Sequence, residues 1–404
     1  MATVSDMDRA AMRRQRIEVR RRQVRRRRAT ALAIVGGIVL VSVFAGRLLA
    51  GSGSVSLAPV RSAALVSPFH STLPQEIRGV HVSMDLAGIP GKLASYLALR
   101  KDGLNTIELD VKDETGEVGF VRGAPALAVS DGAAHPYYDP AAVAKQVHRA
   151  GVYLIGRVVA FEDPVTASAH PALAVRTTGG GIWRTNGGLA WLNPYSHAAW
   201  KYDVDVAVAA AKAGFDEIQF DYVRFPSDGD LAEVRYPGPH TQPMGETVAA
   251  FLTYAALRLH PLGVRVSADV FGLSANHDLG VGQYPGQIGE VVDTIYPMTY
   301  PSHYGSGEYN LRDPNAEPGK TVAYSLRDFR SKLVGTKAQV VPWLQDFSLG
   351  PPRYTPADVE AQVQAARDYQ TGGFMLWNAT GIYTKKALAA GPPPPLPPLY
   401  APHL

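Results

Sequence analysis

The chain has 404 residues, 46% of them hydrophobic and 19% charged, which is enough for two or three average domains or for one enlarged α/β barrel. It has no cysteine, and this excludes a disulfide framework, a thiolate metal site and a cysteine nucleophile. The net charge of +4 conceals an uneven spread: residues 1–30 hold eleven Arg against Asp6, Asp8 and Glu18, a net of +8, so the remainder carries −4.

The basic arm, residues 1–28, would suit nucleic acid, but the next segment argues otherwise. Residues 29–46 (ATALAIVGGIVLVSVFAG) are uncharged, and the apolar character continues past Arg47 to residue 50. About 20 such residues match the hydrocarbon core of a bilayer, and an Arg at the end of the span can reach the interface. The preceding arginines predict a cytoplasmic N-terminus and an extracytoplasmic body, with a single transmembrane anchor over 29–50 and no nucleic-acid partner. A cleaved signal peptide and a secreted body are the competing expectation. Residues 51–74, rich in Ser, Ala, Gly and Pro, read as a tether, and 391–404, with PPPPLPP, as an extended proline-rich tail.

Between these ends, residues 75–390 alternate strand and helix eight times. Strands are predicted over 77–83, 106–112, 153–161, 217–225, 265–272, 294–300, 339–347 and 373–379. Amphipathic runs come after most of them, at 92–101, 141–150, 198–213, 247–260, 321–333 and 356–369, with a short fifth helix near 287–292 and a weakly specified eighth near 384–390. Gly103, Gly151, Gly214 and Gly263 stand where helices close, just before the next strand. Eight such units predict a (β/α)8 TIM barrel. An open doubly wound sheet is the alternative, and no G-x-G-x-x-G succeeds the first strand to favour it. Long connections at 113–140, 162–197, 226–246 and 301–320 all leave the ends of strands, which predicts a site on the C-terminal face. Gly179 to Gly181 within the second of these read as a flexible lid.

Strand parity selects the candidates for chemistry. In EIQFDYVRFP, Ile218, Phe220 and Tyr222 share one face, leaving Gln219 and Asp221 on the other, with Arg224 at the exit. In IELDVK, Glu108, Asp110 and Lys112 point inward; in RVSADVFG, Ser267 and Asp269 do. Adjacent strands lie about 4.8 Å apart and retaining glycosidases hold two carboxyls about 5–5.5 Å apart, which makes Asp221 and Asp269 a natural pair. One would keep its proton while Arg224 or Lys112 holds the other ionised. A salt-bridged polar core is the bland alternative. Tyr296, Met298 and Tyr300 can point inward, Tyr304 lies on the loop beyond, and Trp183, Trp191, Trp343 and Trp377 fall on loops or strand ends, where flat apolar faces suit sugar rings. Gln345 is expected inward with Trp343, Asp346 at the rim, and Asn378 or Trp377 near substrate. His81 with Asp85 and His277 with Asp278 are isolated pairs without metal-ligand spacing, so neither a metal nor another cofactor is expected.

The segments RGVHVSMD, ELDVKDETG, FDYVRFP, SADVFG, IYPMTYPSHY, PWLQDF and GFMLWNA together resemble the bacterial "putative glycosyl hydrolase" barrel family over about residues 75–385. That family is itself similar to α-amylase-type barrels, with a nucleophilic Asp on strand four, an acid/base Glu on strand five and a stabilising Asp after strand seven. The resemblance implies these roles for Asp221, Asp269 and Asp346. Two departures stand out: strand five offers Asp where those enzymes use Glu, and Arg224 lies three residues after the strand-four Asp instead of two before it. The expected function is hydrolysis of an extracytoplasmic or cell-envelope polysaccharide without a cofactor. Two further readings remain open: a non-catalytic barrel that binds glycan or a partner, and a metal-dependent hydrolase using Asp110, Asp221 and Asp269.

Overall fold

A computed structural model describes residues 69–389. The basic arm, the expected span 29–50, most of the tether and the proline-rich tail lie outside the described residues. Among the described residues, no helix is long and apolar enough to cross a membrane.

Nine strands form one all-parallel sheet: β1 (Ile77–Val82), β2 (Thr106–Lys112), β3 (Tyr153–Val159), β4 (Glu217–Asp221), β5 (Arg265–Phe271), β6 (Thr294–Met298), β7 (Gln339–Val340), β8 (Trp343–Gln345) and β9 (Gly373–Trp377). β7 and β8 are one stave broken at Val341 and Pro342, since proline has no N–H for the ladder. β6 pairs with both pieces, β8 pairs with β9 and β9 with β1, so eight staves close the expected (β/α)8 barrel.

Crossovers run through α1 (Lys92–Leu97), α2 (Pro140–Arg149), α3 (His197–Ala213), α4 (Met244–Leu259), the single-turn α5 (Pro285–Gly289), α6 (Pro318–Lys332) and α7 (Pro356–Asp368). Their starts are chemically marked: Asp139 accepts from Ala142 N at α2, and Ser196 from Ala199 N at α3. Gly214, at φ 108°, closes α3 in a conformation that a side chain would oppose.

Outward strand residues such as Val80, Leu109, Ile218, Phe220, Val266 and Leu376 pack beneath the helices. Inward, Ile77, Tyr153, Ile155, Tyr296, Val341, Trp343 and Met375 fill the barrel, so its interior is a packed core with polar groups above. Residues 69–74 do not behave as a free tether. Leu73 packs against that inner core, His70 N donates to Gly263 O, and Arg265 lies 4.1 Å over the Phe69 ring, sealing the N-terminal end.

Three local departures from regular parity shape the mouth. Along β2 the pairing skips a residue, Asp110 facing Arg157 and Lys112 facing Val158, and this bulge turns Lys112 outward. The inward placement expected for Lys112 is therefore wrong. β4 stops at Asp221, because Tyr222 takes φ 50° and leaves the strand, so the predicted continuation to residue 225 is irregular loop. The segment after β3 packs on the barrel, with the expected lid glycines Gly179 to Gly181 exposed at its turn. It folds back through the pairs Arg176–Ile182, Arg184–Ala190 and Glu162–Trp191, and it buries Trp183 and Trp191.

Candidate active site

The C-terminal mouth is built on β2, β3 and β4. Their register sets Asp110 beside Arg157, and Asp221 one step further along, level with Val159. Arg157 donates from Nη1 to Asp110 Oδ1 at 2.7 Å, and from Nε and Nη2 to Asp221 Oδ2 at 3.0 and 2.6 Å. Glu114, from the loop after β2, approaches the same guanidinium at 3.6 Å. The other Asp221 oxygen accepts from Tyr222 N at 2.7 Å, a bond made possible by the turn that ends β4. The carboxylate is thus oriented on both oxygens, and the cation shared by Asp110 and Asp221 is a guanidinium. Among the described residues, no group of three His, Asp or Glu side chains is placed to hold a metal ion.

Asp269 comes from the next stave, where the alignment of Phe220 with Ala268 puts it level with Asp221. Its Oδ1 accepts from Gln219 Nε2 at 2.5 Å and from the Trp343 indole at 2.7 Å, while Oδ2 meets no donor among the described residues. Burial, and then repulsion from Asp221 and Glu108, hold its carboxyl well above the ordinary range. On the far side His81 Nδ1 lies 2.5 Å from Glu108 Oε2, and its Nε2 lies 3.6 Å from Asp110 Oδ2. Burial opposes protonation of His81, but Asp110 and Glu108 outweigh it and raise its pKa; burial raises that of Glu108 as well.

The sequence candidates divide. Asp110, Asp221, Asp269 and Trp343 meet, and Tyr300 joins them, its hydroxyl raised by burial and by the fields of Asp269 and Asp221. Trp377 stacks edge-on against His81, with ring centroids 4.7 Å apart. Tyr296 is fully buried in the layer below, which removes it from the expected sugar platform. Gln345 spends its side chain internally, accepting from Ser302 N and donating to Phe347 O. Asp346 accepts from Thr384 N at 2.6 Å and Thr384 Oγ1 at 2.7 Å, and Asn378 donates to the Asp346 carbonyl and accepts from Thr380 N and Oγ1. These two organise the loop after β9.

Lys112 is buried beneath α3 with Asp163 and Asp203, away from the mouth. Arg224 pairs with no carboxylate among the described residues; its guanidinium lies 4.8–4.9 Å from the rings of Trp191, Tyr222 and Phe271. The cation that does pair with Asp221 is neither of these but Arg157, which the parity count along YLIGRVV, run from Tyr153, would have placed inward. Glu162, three residues beyond Val159 at the end of β3, was equally absent from the expectation. Burial lifts its carboxyl to about 8 against the pull of Arg224, with Glu114, Asp228 and Asp221 adding to the rise.

Two shallow grooves, around His148, Gly214 and Asp216, lie at the opposite end of the barrel from this mouth. The chain matches, over residues 79–383, a family described as "putative glycosyl hydrolase domain". Among solved structures, a hypothetical protein from Ruminiclostridium thermocellum ATCC 27405 is 36% identical, covering 47% of this chain and 97% of that one, with a TM-score of 0.44. The PgaB (BpsB) glycoside hydrolase domain from Bordetella bronchiseptica has a TM-score of 0.54 at 15% identity, covering 76% of this chain and 95% of that one, and shares the barrel fold. No curated protein matches. Because the family match runs from β1 to beyond β9 and takes in every stave of the mouth, the chain belongs to the "putative glycosyl hydrolase domain" family.

Proposed function

We propose that this glycoside hydrolase barrel cleaves O-glycosidic bonds of an extracytoplasmic or cell-envelope polysaccharide with Asp221 and Asp269. The observation that carries the reading is the contrast between two carboxyls on neighbouring staves: Asp221 lies in the fork of Arg157, whereas buried Asp269 has its pKa raised and one oxygen unengaged. A carboxylate oriented by a guanidinium suits the nucleophile, and a buried carboxyl that keeps its proton suits the acid. Asp221 attacks the anomeric carbon as the Asp269 proton passes to the departing glycosidic oxygen. Water, giving its proton to Asp269, then releases the sugar from Asp221.

Tyr300 and Trp377 supply the apolar faces against which a sugar ring would rest, and the buried Trp343 holds Asp269 through its indole N–H. Asp346 acts at one remove, by holding the loop beyond Trp377. The Arg-rich arm and apolar residues 29–50 support a barrel tethered outside the cytoplasm. A glycan panel scored for reducing ends identifies a responsive substrate. On that substrate Asp221→Asn and Asp269→Asn should each abolish most turnover, and unchanged hydrolysis in both would sink the assignment. The anomer released first, read by NMR, distinguishes retention from inversion.

A further inference from the structure

Arg224 takes no part in that scheme, yet it is only 7% exposed. Its Nη1 donates to Phe225 O at 3.0 Å and Ser227 Oγ at 3.1 Å, and three aromatic rings surround the guanidinium carbon. Nε and Nη2 meet no acceptor among the described residues. These two form the edge of a guanidinium that grips a carboxylate side-on, the edge that Arg157 presents to Asp221. A buried guanidinium edge without an acceptor is costly unless a partner arrives.

The neighbouring acids do not fill the role. Asp110, Asp221 and Glu114 face Arg157. Glu162 and Asp228 feel the charge of Arg224, but among the described residues neither makes an ion pair or a hydrogen bond with it; burial lifts Glu162 to about 8, so near neutral pH Glu162 is an uncharged O–H donor. Its carboxyl makes no hydrogen bond to protein among the described residues. A guanidinium edge and an acidic hydroxyl therefore stand unused near the end of β4.

We infer that Arg224 and Glu162 form a subsite for the carboxylate of an acidic sugar, carried either by a hexuronate or by a lactyl-ether sugar of the muramic type. The word subsite rests on the hydrolase reading; the recognition of a carboxylate does not. The planar fork matches a carboxylate, and Glu162 is the neighbouring O–H donor, its backbone bridged to Trp191, whose ring lies 4.9 Å from the Arg224 guanidinium. Asp221, Glu114 and Asp228, which also face Glu162, disfavour its ionisation, so binding weakens as pH rises through about 8.

The test is calorimetric titration of the full-length protein with oligouronates, with muramic-acid-containing glycan fragments, and with their neutral parents. One acidic class should bind roughly tenfold or more tighter than its neutral parent. Arg224→Gln should erase that preference, and Glu162→Gln, which keeps a neutral donor, should retain it at pH 9 where the wild type loses it. Equal affinity for acidic and neutral ligands, which needs no variant to fold, overturns the inference; so does a preference that survives Arg224→Gln. Selective binding without turnover would leave it standing and remove the hydrolytic reading, whereas turnover confined to neutral glycans would do the reverse.

Discussion

Two clusters of buried charge lie on either side of β2, and they are built to opposite ends. Outside the barrel, Lys112 Nζ sits 2.8 Å from Asp163, 2.6 Å from Asp203 and 3.1 Å from the Ala160 carbonyl, with the Tyr202 ring 5.0 Å away and all three charged side chains fully buried. Inside, Arg157 serves Asp110, Asp221 and Glu114 where the barrel opens, and nearby groups keep unused capacity: Oδ2 of Asp269 and one edge of Arg224. The sealed cluster has a cation centred on its acids and no route for a ligand. The open cluster also has more acids than cations, but it lies where the barrel opens. Burial and ion pairing are common to both, so neither marks a site; unspent hydrogen-bonding capacity facing an opening does.

The largest effect should come from the open cluster. Asp221→Asn keeps the shape but loses the charge facing Arg157, and turnover of a responsive glycan should fall on the order of 10⁴-fold. Asp269→Asn should cost less, about 10²–10⁴-fold, because substrates with good leaving groups need little protonation. It should also remove the alkaline limb of the rate profile, which in the wild type lies above the ordinary carboxyl range because Asp269 is held protonated there. Rates measured with activated and unactivated leaving groups separate the two roles.

The sealed cluster should answer in stability. Lys112→Met strands two buried carboxylates and should lower unfolding free energy by about 3–5 kcal/mol, read by chemical denaturation. A cost below about 1 kcal/mol would mean that the two clusters differ less than their geometry implies.

Acidity offers a second axis of comparison. Burial raises Asp203 to about 7 and Asp113 and Glu162 to about 8, each above the value of an unfolded chain. The folded protein thus holds protons that the unfolded chain releases. Their stabilisation is full below about pH 4 and is lost as pH rises towards 8, at up to about 1.4 kcal/mol per unit for each proton retained. Thermal denaturation should show a higher midpoint at pH 5 than at pH 8, and Glu162→Gln should flatten the slope. A midpoint that rises with pH would contradict these environments.

How far the sequence disclosed this depends on where regular periodicity holds. Period-two parity placed Glu108, Asp110, Asp221 and Asp269 inward because β2, β4 and β5 are regular up to those residues. It failed at Lys112, one residue past a bulge that leaves no mark in IELDVK, and at Tyr222, whose positive φ ends β4. Arg157 was legible by the same count along β3. Glu162 was not, because its position depends on how the segment after β3 folds back over Trp191, which no local pattern encodes.

Asp346 tests the boundary between positioning and chemistry, and the expected effect is the smallest. By analogy with amylase-type barrels it would stabilise charge on the sugar, yet both of its oxygens accept from Thr384. Asp346→Ala leaves the Thr384 N–H and hydroxyl without their acceptor, which should cost about 1–2 kcal/mol of stability. Thr384→Val should lose part of the same energy, and the double variant less than the sum, since the pair acts as one unit. Turnover should change by less than about tenfold in all three, through looser placement of Trp377. If Asp346→Ala instead loses activity on the scale of Asp221→Asn while Thr384→Val does not, the Thr384 contacts are a resting state, and Asp346 belongs with the chemistry.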